Sequence, residues 1–165
     1  MDISEQNFVE GVFAERVSNP LEWFKHSRSL LAAARSTSER AEILIDFWEK
    51  SDLENVATML YGFSLENLFK DIWTFKKFGS PHDESWRPIA EFPKELKTHN
   101  LVELAGLIDK KLADEYEFSL TILQDTTTWA GRYPCSIKGD EGIIIRYSQA
   151  NKDAEKIFKK YSRPF

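Results

Sequence analysis

Hydrophobic residues recur with a helical period across residues 61–78, which makes this stretch the element around which the chain is organised. At 100° per residue, five side chains spaced by four and three positions fall on one stripe: Tyr61, Leu65, Leu68, Ile72 and Phe75. A second stripe beside it contains Gly62, Phe69 and Trp73. The apolar arc covers roughly half of the helix circumference, which predicts a central helix that contacts elements on two sides.

The residues before this stretch predict a helix that begins near Pro20. Asn19 is a capping residue, and proline suits the first helical position because its missing N–H would have no helical partner there. We expect this helix to continue to about Arg35 and to end at Ser36-Thr37-Ser38. Residues 1–18 carry only a short helical pattern and are interpreted as an N-terminal extension.

A second, shorter helix is expected to begin at Ser38, which can cap it. Its apolar face would consist of Ala41, Leu44, Ile45 and Trp48. Ser51-Asp52 then marks another start. The simplest interpretation is one long helix over residues 52–78.

The chain after the central helix alternates irregular segments with helices. Residues 79–97 contain Gly and Pro and form a long connection, a type that is often functional in compact domains. Thr98 is a candidate N-cap for a helix that runs through Ile108, and Asn100 lies near the same start. Further helices are predicted over residues 114–130 and 150–161, with an irregular or extended segment at 133–147 between them. The pattern predicts an all-α, antiparallel up-and-down helical bundle.

Composition agrees with an ordinary globular helical domain. The chain has 165 residues, enough for one domain with its own core, and 42% of them are hydrophobic, including 12 Phe and 5 Trp. Only seven Gly and six Pro are present, which suits long helices better than a sandwich with many turns. We therefore interpret residues 1–165 as a single helical domain.

Charge and cysteine content narrow the functional classes. The net charge of −5 argues against nucleic-acid binding through the overall field, but it leaves a local basic patch open. The single Cys135 excludes an internal disulfide and a multi-cysteine metal site. Neither a signal-peptide pattern nor an apolar run of 18 residues is present, so we expect a cytoplasmic protein without a membrane partner.

The motifs of metal and nucleotide sites are missing. His26, His82 and His99 are far apart in sequence and belong to no metal-binding spacing. No GxGxxG or GxxxxGK[ST] sequence occurs. We therefore predict no metal and no cofactor.

One candidate site lies where the helix at 98–108 is expected to begin. Helix N termini attract anions such as phosphate, and Lys97, Thr98 and His99 would add a cation, a hydroxyl and an imidazole. The structural alternative is that Thr98 only caps the helix while His99 forms a hydrogen bond across the bundle.

A second candidate is Arg132-Tyr133-Pro134, which follows Gly131 at a predicted helix end. The structural alternative is that Arg132 satisfies the last carbonyl groups while Tyr133 packs against the bundle. Glu66 and Lys70, four residues apart on the border of the central arc, are most simply an i,i+4 pair.

Together these segments resemble the HEPN (higher eukaryotes and prokaryotes nucleotide-binding) superfamily. The resemblance covers roughly residues 20–160 and depends on three short motifs, G-x-x-[LI]-E-x-x-x-K, [TS]-H-[DN]-L and RYP. The matching residues are Gly62, Leu65, Glu66 and Lys70 for the first, Thr98, His99, Asn100 and Leu101 for the second, and Arg132, Tyr133 and Pro134 for the third.

The resemblance implies a helical bundle that is often a homodimer. Many members are metal-independent ribonucleases of toxin–antitoxin or phage-defence systems, and others bind nucleotides. Catalytic members carry R-x4-6-H, but here Arg87 stands twelve positions before His99, and only Lys94 has R-x4-H spacing. Lysine cannot reproduce the bidentate arginine fork, so a non-catalytic or nucleotide-binding member fits better.

Three hypotheses follow. The first is a domain that binds a nucleotide or RNA through its phosphate, with Glu66 and Lys70 supporting the site. The ligand-binding residues would be Lys97, Thr98, His99, Arg132 and Tyr133. The second is an interaction bundle that dimerises or binds an antitoxin-type protein, which requires an exposed apolar patch. The third is a metal-independent ribonuclease that uses His99 as its catalytic residue.

Overall fold

The structure is a computed structural model that describes residues 3–89, 91–130 and 148–162. Within these ranges it contains six α-helices and no strand, and the all-α bundle prediction is confirmed. The helices are α1 (Ile3–Ser18), α2 (Pro20–Glu42), α3 (Phe47–Phe78), α4 (Leu101–Ile108), α5 (Lys110–Asp125) and α6 (Ser148–Tyr161). A short 3₁₀ turn (Lys94–Leu96) precedes α4, and a π-helical turn (Thr126–Ala130) extends α5.

The central helix α3 is buried over more of its surface than the two apolar stripes predict. Leu65, Leu68 and Phe69 are in the core as expected, whereas Phe75 at the end of the first stripe is exposed. Several polar side chains of α3 are also buried: Ser64, Glu66, Lys70, Asp71 and Thr74. Helices therefore surround α3, and they cover positions that the hydrophobic pattern assigns to solvent.

Helices α2 and α3 form a long antiparallel pair. The two helices approach closely at Ser27 and Ser64, whose hydroxyl groups each donate to the backbone carbonyl of the other residue at 2.7 and 2.9 Å. Both serines are fully buried. Small side chains at this crossing allow the backbones to come close, and the paired bonds leave no hydroxyl unsatisfied.

The predicted end of α2 at Ser36-Thr37-Ser38 is wrong, because the helix continues to Glu42. The Thr37 hydroxyl donates to the carbonyl of Ala33, one turn earlier, at 2.8 Å. A hydroxyl that is satisfied inside its own helix does not compete with the helical backbone, so a Ser/Thr run need not end a helix. No separate helix begins at Ser38.

The start of α3 is also earlier than predicted. The helix begins at Phe47 instead of residue 52, because the Asp46 carboxylate accepts a hydrogen bond from the backbone N–H of Glu49 at 2.8 Å and caps it. Leu44 and Ile45 lie in the turn between α2 and α3. The expected face of Ala41, Leu44, Ile45 and Trp48 is therefore divided among two helices and a turn.

The long connection after α3 leads the chain back along that helix. His99, just before α4, contacts Glu66 in the middle of α3, and Lys76 near the C-terminal end of α3 donates to the carbonyl of Ile108 at 2.6 Å. Helix α4 is therefore parallel to α3. Residues 79–100 have to span the distance between one end of α3 and its middle, which explains the length of this connection.

Helix α5 returns antiparallel to α4 and begins at Lys110, four residues before the predicted start. Asp109 caps it by accepting from the N–H of Lys111 at 2.9 Å. The predicted end at Ala130 agrees with the π-helical turn that follows α5.

Helix α6 begins at Ser148, two residues before the prediction, and packs on α3 and α5. Its Glu155 accepts two hydrogen bonds from the Arg35 guanidinium and one from the Tyr61 hydroxyl. The hydrogen bonds from Arg35 are the main reason that the pKa of Glu155 is lowered. Burial, together with the Glu155 charge, raises the pKa of Tyr61 to about 12. This cluster ties α2, α3 and α6 together.

Candidate functional site

A buried ion pair lies at the centre of the candidate site. The Lys70 ammonium group is 2.7 Å from Glu66 Oε1, as the i,i+4 spacing predicts. The two residues are only 4% and 6% exposed, respectively. A pair at this depth differs from a surface pair, because removing two charges from water costs several kcal/mol per ion. Its presence in the core requires an explanation other than general stability.

His99 completes the cluster from outside. Its Nδ1 atom is 3.0 Å from the same Glu66 Oε1, while its side chain is 75% exposed. The sequence predicted that His99 either binds a ligand or forms a hydrogen bond across the bundle. The structure shows the hydrogen bond, and it also shows that most of the imidazole faces solvent. The two alternatives are therefore compatible.

The chemistry of the carboxylate determines how the imidazole is oriented. An ionised Glu66 can only accept hydrogen bonds, so the Nδ1 atom of His99 must carry the proton between them. In the neutral ring the Nε2 atom is then an acceptor, whereas in the imidazolium ring it is a second donor that can bind a phosphate oxygen. This arrangement holds a histidine nitrogen at the surface with a fixed tautomer, as the carboxylates that accept from the other ring nitrogen do for catalytic and metal-binding histidines.

Glu66 retains an unused acceptor. Its Oε2 atom is buried, and no hydrogen-bond partner for it lies within residues 3–89, 91–130 and 148–162. Buried polar atoms nearly always have a partner, and an exception calls for an explanation such as a functional role. Glu66 therefore contacts both Lys70 and His99 through a single oxygen, Oε1.

Trp23 is a part of the cluster that the sequence interpretation missed. Its ring lies 5.6 Å from the Lys70 ammonium group, and its indole nitrogen donates to the carbonyl of Val17 at 3.2 Å. A cation–π contact of this kind further stabilises a buried lysine. The helical pattern gave no signal, because only packing of α2 on α3 brings Trp23 to Lys70.

The N terminus of α4 offers fewer free N–H groups than expected. The predicted cap Thr98 is wrong; Asn100 is the N-cap and accepts from the N–H of Glu103 at 2.9 Å. The N–H of Leu101 donates to the side chain of Gln124 on α5 at 3.1 Å. Two of the helix-terminal donors are therefore occupied by side chains of the protein.

Thr98 itself contacts a carboxylate. Its hydroxyl donates to Glu103 Oε2 at 3.0 Å and accepts from the N–H of Asn100 at the same distance. The neighbouring Lys97 side chain is exposed. Within the predicted 97–99 site, His99 and Lys97 are therefore accessible, whereas Thr98 is engaged in the turn before α4.

The two candidates Arg132 and Tyr133, and Pro134 with them, lie outside the described residues. A shared site would require the start of α4 and the end of α5 to lie close together. The start of α4 and the end of α5 are adjacent, as the hydrogen bond between Leu101 and Gln124 shows. The prediction that Arg132 and Tyr133 share a site with His99 stays a prediction, and so does the irregular segment at 133–147.

An exposed apolar patch occupies the turn between α2 and α3, at the opposite end of α2 from α1. We call it the tip, and it consists of Ile43, Ile45, Phe47 and Trp48. All four are exposed, and Ile45 is 100% exposed. Clustered apolar groups of this kind on a protein surface are typical of interaction sites.

Neither a metal-binding cluster nor a membrane-spanning helix occurs among the described residues. The described part of the chain contains no group of three or more His, Cys, Asp or Glu side chains arranged to hold a metal ion. No helix among residues 3–89, 91–130 and 148–162 combines the length and the apolar character needed to cross a membrane.

Comparisons with protein families, with curated proteins and with solved structures find no match for this chain. The functional assignment therefore depends on the residues and their geometry.

Proposed function

We propose that this protein is a HEPN-like helical domain that binds a phosphate-bearing ligand, a nucleotide or RNA, at the exposed imidazole of His99. The observation that carries the proposal is the His99–Glu66–Lys70 cluster, in which a surface imidazole is held by a buried carboxylate that a buried ammonium group neutralises. A toxin–antitoxin or phage-defence role is the context that the HEPN resemblance implies.

The energetic cost of burying the two charges favours function over stability as the reason for this cluster. Well-packed apolar residues often stabilise a fold as well as a buried ion pair does, or better. The pair nevertheless fixes the ring plane and the tautomer of His99, which an apolar side chain could not do. Orienting the imidazole is therefore the property that Glu66 and Lys70 supply.

The surroundings of His99 suit a nucleotide or RNA. Lys97 is exposed two residues before His99 and can hold a phosphate as a point charge. Trp23, which contacts Lys70, is partly exposed, and nucleobases stack on aromatic side chains of this kind. A local site of this type is compatible with the overall net charge of −5, because it does not use the field of the whole molecule.

The test is a thermal-shift screen with nucleoside mono- and triphosphates and short single-stranded RNAs. A ligand that binds only the folded state at about 100 times its Kd should raise the Tm by roughly 5–10 °C for a domain of this size. His99→Ala should lose most of that shift. The matched controls are His26→Ala and His82→Ala, because both of these histidines are also exposed. Equal shifts in all three variants would contradict the proposal.

If the same site is catalytic, the reaction that it would catalyse is the cleavage of RNA. An imidazole whose Nε2 atom accepts a proton can act as a general base toward a ribose 2′-hydroxyl group. The R-x4-6-H motif is absent from the sequence, and Lys94 is the residue at R-x4-H spacing. We therefore propose ligand binding ahead of catalysis, and denaturing gel electrophoresis of the RNA samples from the screen shows whether cleavage occurs.

A second candidate function is an interaction bundle that binds an antitoxin-type protein, and the exposed tip favours it. The same screen separates the two functions. A bundle that binds only proteins would not bind the nucleotides and RNAs of the screen. Its Tm would therefore be the same with every one of them.

A further inference from the structure

The N-terminal helix α1 projects from the bundle. Its last turn is anchored, since Val17 is only 4% exposed and the Ser18 hydroxyl accepts from the N–H of Ile89 at 2.9 Å. The apolar side chains before that turn are exposed or half-buried. Phe8 is 72% exposed and Phe13 is 42% exposed, and Val9 between them is also largely exposed.

These three residues and the half-buried Val12 form one face of the helix. At 100° per residue, Phe8, Val12, Val9 and Phe13 fall within an arc of about 140°. An amphipathic helix normally buries such an arc against another element. The described part of the chain leaves Phe8 and Val9 mostly uncovered and Phe13 partly uncovered, so α1 presents an apolar face to a partner.

The order of residues on this face identifies the partner as a second copy of the same helix. Phe8 and Phe13 are equally far from the midpoint between residues 10 and 11, and so are Val9 and Val12. If two α1 helices pack antiparallel about that midpoint, Phe8 of each copy faces Phe13 of the other, and Val9 faces Val12. A surface that complements itself in this way is what a two-fold dimer interface requires.

Two charged residues of α1 are placed symmetrically about the same midpoint. Glu5 and Arg16 lie on the centre line of the apolar face, and they are also equally far from the midpoint. Antiparallel packing places Glu5 of one copy opposite Arg16 of the other at both ends of the interface. A parallel arrangement would instead place like charges opposite each other. The two residues are eleven positions apart, about 16 Å along one helix, so they cannot pair within one chain.

We propose that α1 is a homodimerisation arm that pairs antiparallel with α1 of a second copy. Because α1 is anchored at its C-terminal end, this arrangement places the two bundles at opposite ends of the helix pair, where they do not collide. The exposed apolar side chains amount to on the order of 400 Å² per copy, about half of what a standard interface buries on each partner. The dimer is therefore weak and concentration-dependent. This inference does not depend on the proposed ligand site.

The test measures the mass of the full-length chain by size-exclusion chromatography with light scattering or by sedimentation, over a range of concentrations. The wild type should pass from monomer to dimer as the concentration rises through the micromolar range. Phe8→Glu combined with Phe13→Glu should remain monomeric there with an unchanged Tm. Ile45→Glu at the tip is the matched control and should dimerise like the wild type. A wild type that stays monomeric overturns the proposal, as does a dimer that persists in the α1 variant or is lost in Ile45→Glu.

A charge exchange tests the register without altering the apolar face. Glu5→Arg alone and Arg16→Glu alone should each weaken dimerisation several-fold, and the combined variant should restore it. Restoration supports antiparallel pairing between copies, because within one helix the two side chains are too far apart to interact. Failure of the combined variant to recover overturns the antiparallel arrangement.

Discussion

At the scale of single residues, the unusual feature of this protein is that one carboxylate oxygen serves both a buried lysine and an exposed histidine. Sequence spacing correctly predicted that Glu66 and Lys70 pair. It could not predict that the pair is buried or that His99 joins it, because both depend on how α2 and α4 pack against α3. The sequence showed only that Glu66 and Lys70 border the apolar arc of the central helix.

The stability and the function of the pair can be separated by mutation. Glu66→Leu alone or Lys70→Met alone leaves one charge buried without its partner, which should lower the free energy of unfolding by about 3–5 kcal/mol. The double variant removes both charges and should recover most of that loss, to within about 1 kcal/mol of the wild type. Urea unfolding of all four proteins measures this.

The double variant is also informative about ligand binding. It should be folded and yet fail to show the ligand-dependent Tm shift, because His99 no longer has a carboxylate to orient it. A double variant that binds ligand as well as the wild type would show that the pair is not needed for orienting His99.

At the scale of helices, the close contact between α3 and the end of α5 depends on Gly62. A Cβ atom added at this position would lie 2.5 Å from Thr127 Cγ2 and 2.8 Å from the carbonyl oxygen of Leu123. A glycine in the interior of a helix costs stability relative to alanine, so its presence indicates a packing requirement. The close contact gives a physical reason for a glycine at this position.

Gly62→Ala should therefore destabilise the protein. The backbone carbonyl cannot move aside as a flexible side chain can, and overpacking of this kind costs about 1–3 kcal/mol. Gly106→Ala in α4 is the matched control, since the added Cβ atom would be 4.0 Å from Ala113 Cβ, an ordinary contact. That substitution should stabilise by about 0.5–1 kcal/mol through helix propensity. Thermal unfolding of the two variants compares them, and a neutral Gly62→Ala would contradict the close-contact argument.

Helix positions show where sequence reasoning succeeds and where it fails. Asn19 and Pro20 marked the start of α2 correctly, because the cap uses only local residues. The end of α2 was wrong because Thr37 satisfies its hydroxyl within the helix. The start of α4 was displaced by two residues, since Thr98 and Asn100 are both capping types and only the structure distinguishes them.

At the scale of the whole molecule, the path of the chain creates the candidate site. Local patterns predicted an all-α bundle, but they contained no information on the direction in which residues 79–100 run. That connection returns the chain to the middle of α3, and it thereby places His99 on Glu66. The pairing of these two residues, 33 positions apart, is therefore a property of the topology.

The central claim is that Glu66 orients His99 so that its Nε2 atom, when protonated, donates a hydrogen bond to a phosphate-bearing ligand. The most direct measurement is a long-range ¹H–¹⁵N NMR spectrum of the three imidazole rings, assigned with His→Ala variants and recorded during titration with the best ligand of the thermal-shift screen. We predict that the neutral ring of ligand-free His99 is protonated at Nδ1 and that ligand binding moves its Nε2 signal to the protonated position, while the signals of His26 and His82 stay constant. A ligand-free, neutral His99 ring protonated at Nε2 instead of Nδ1, or a ligand that leaves the His99 signals unchanged, would contradict the account.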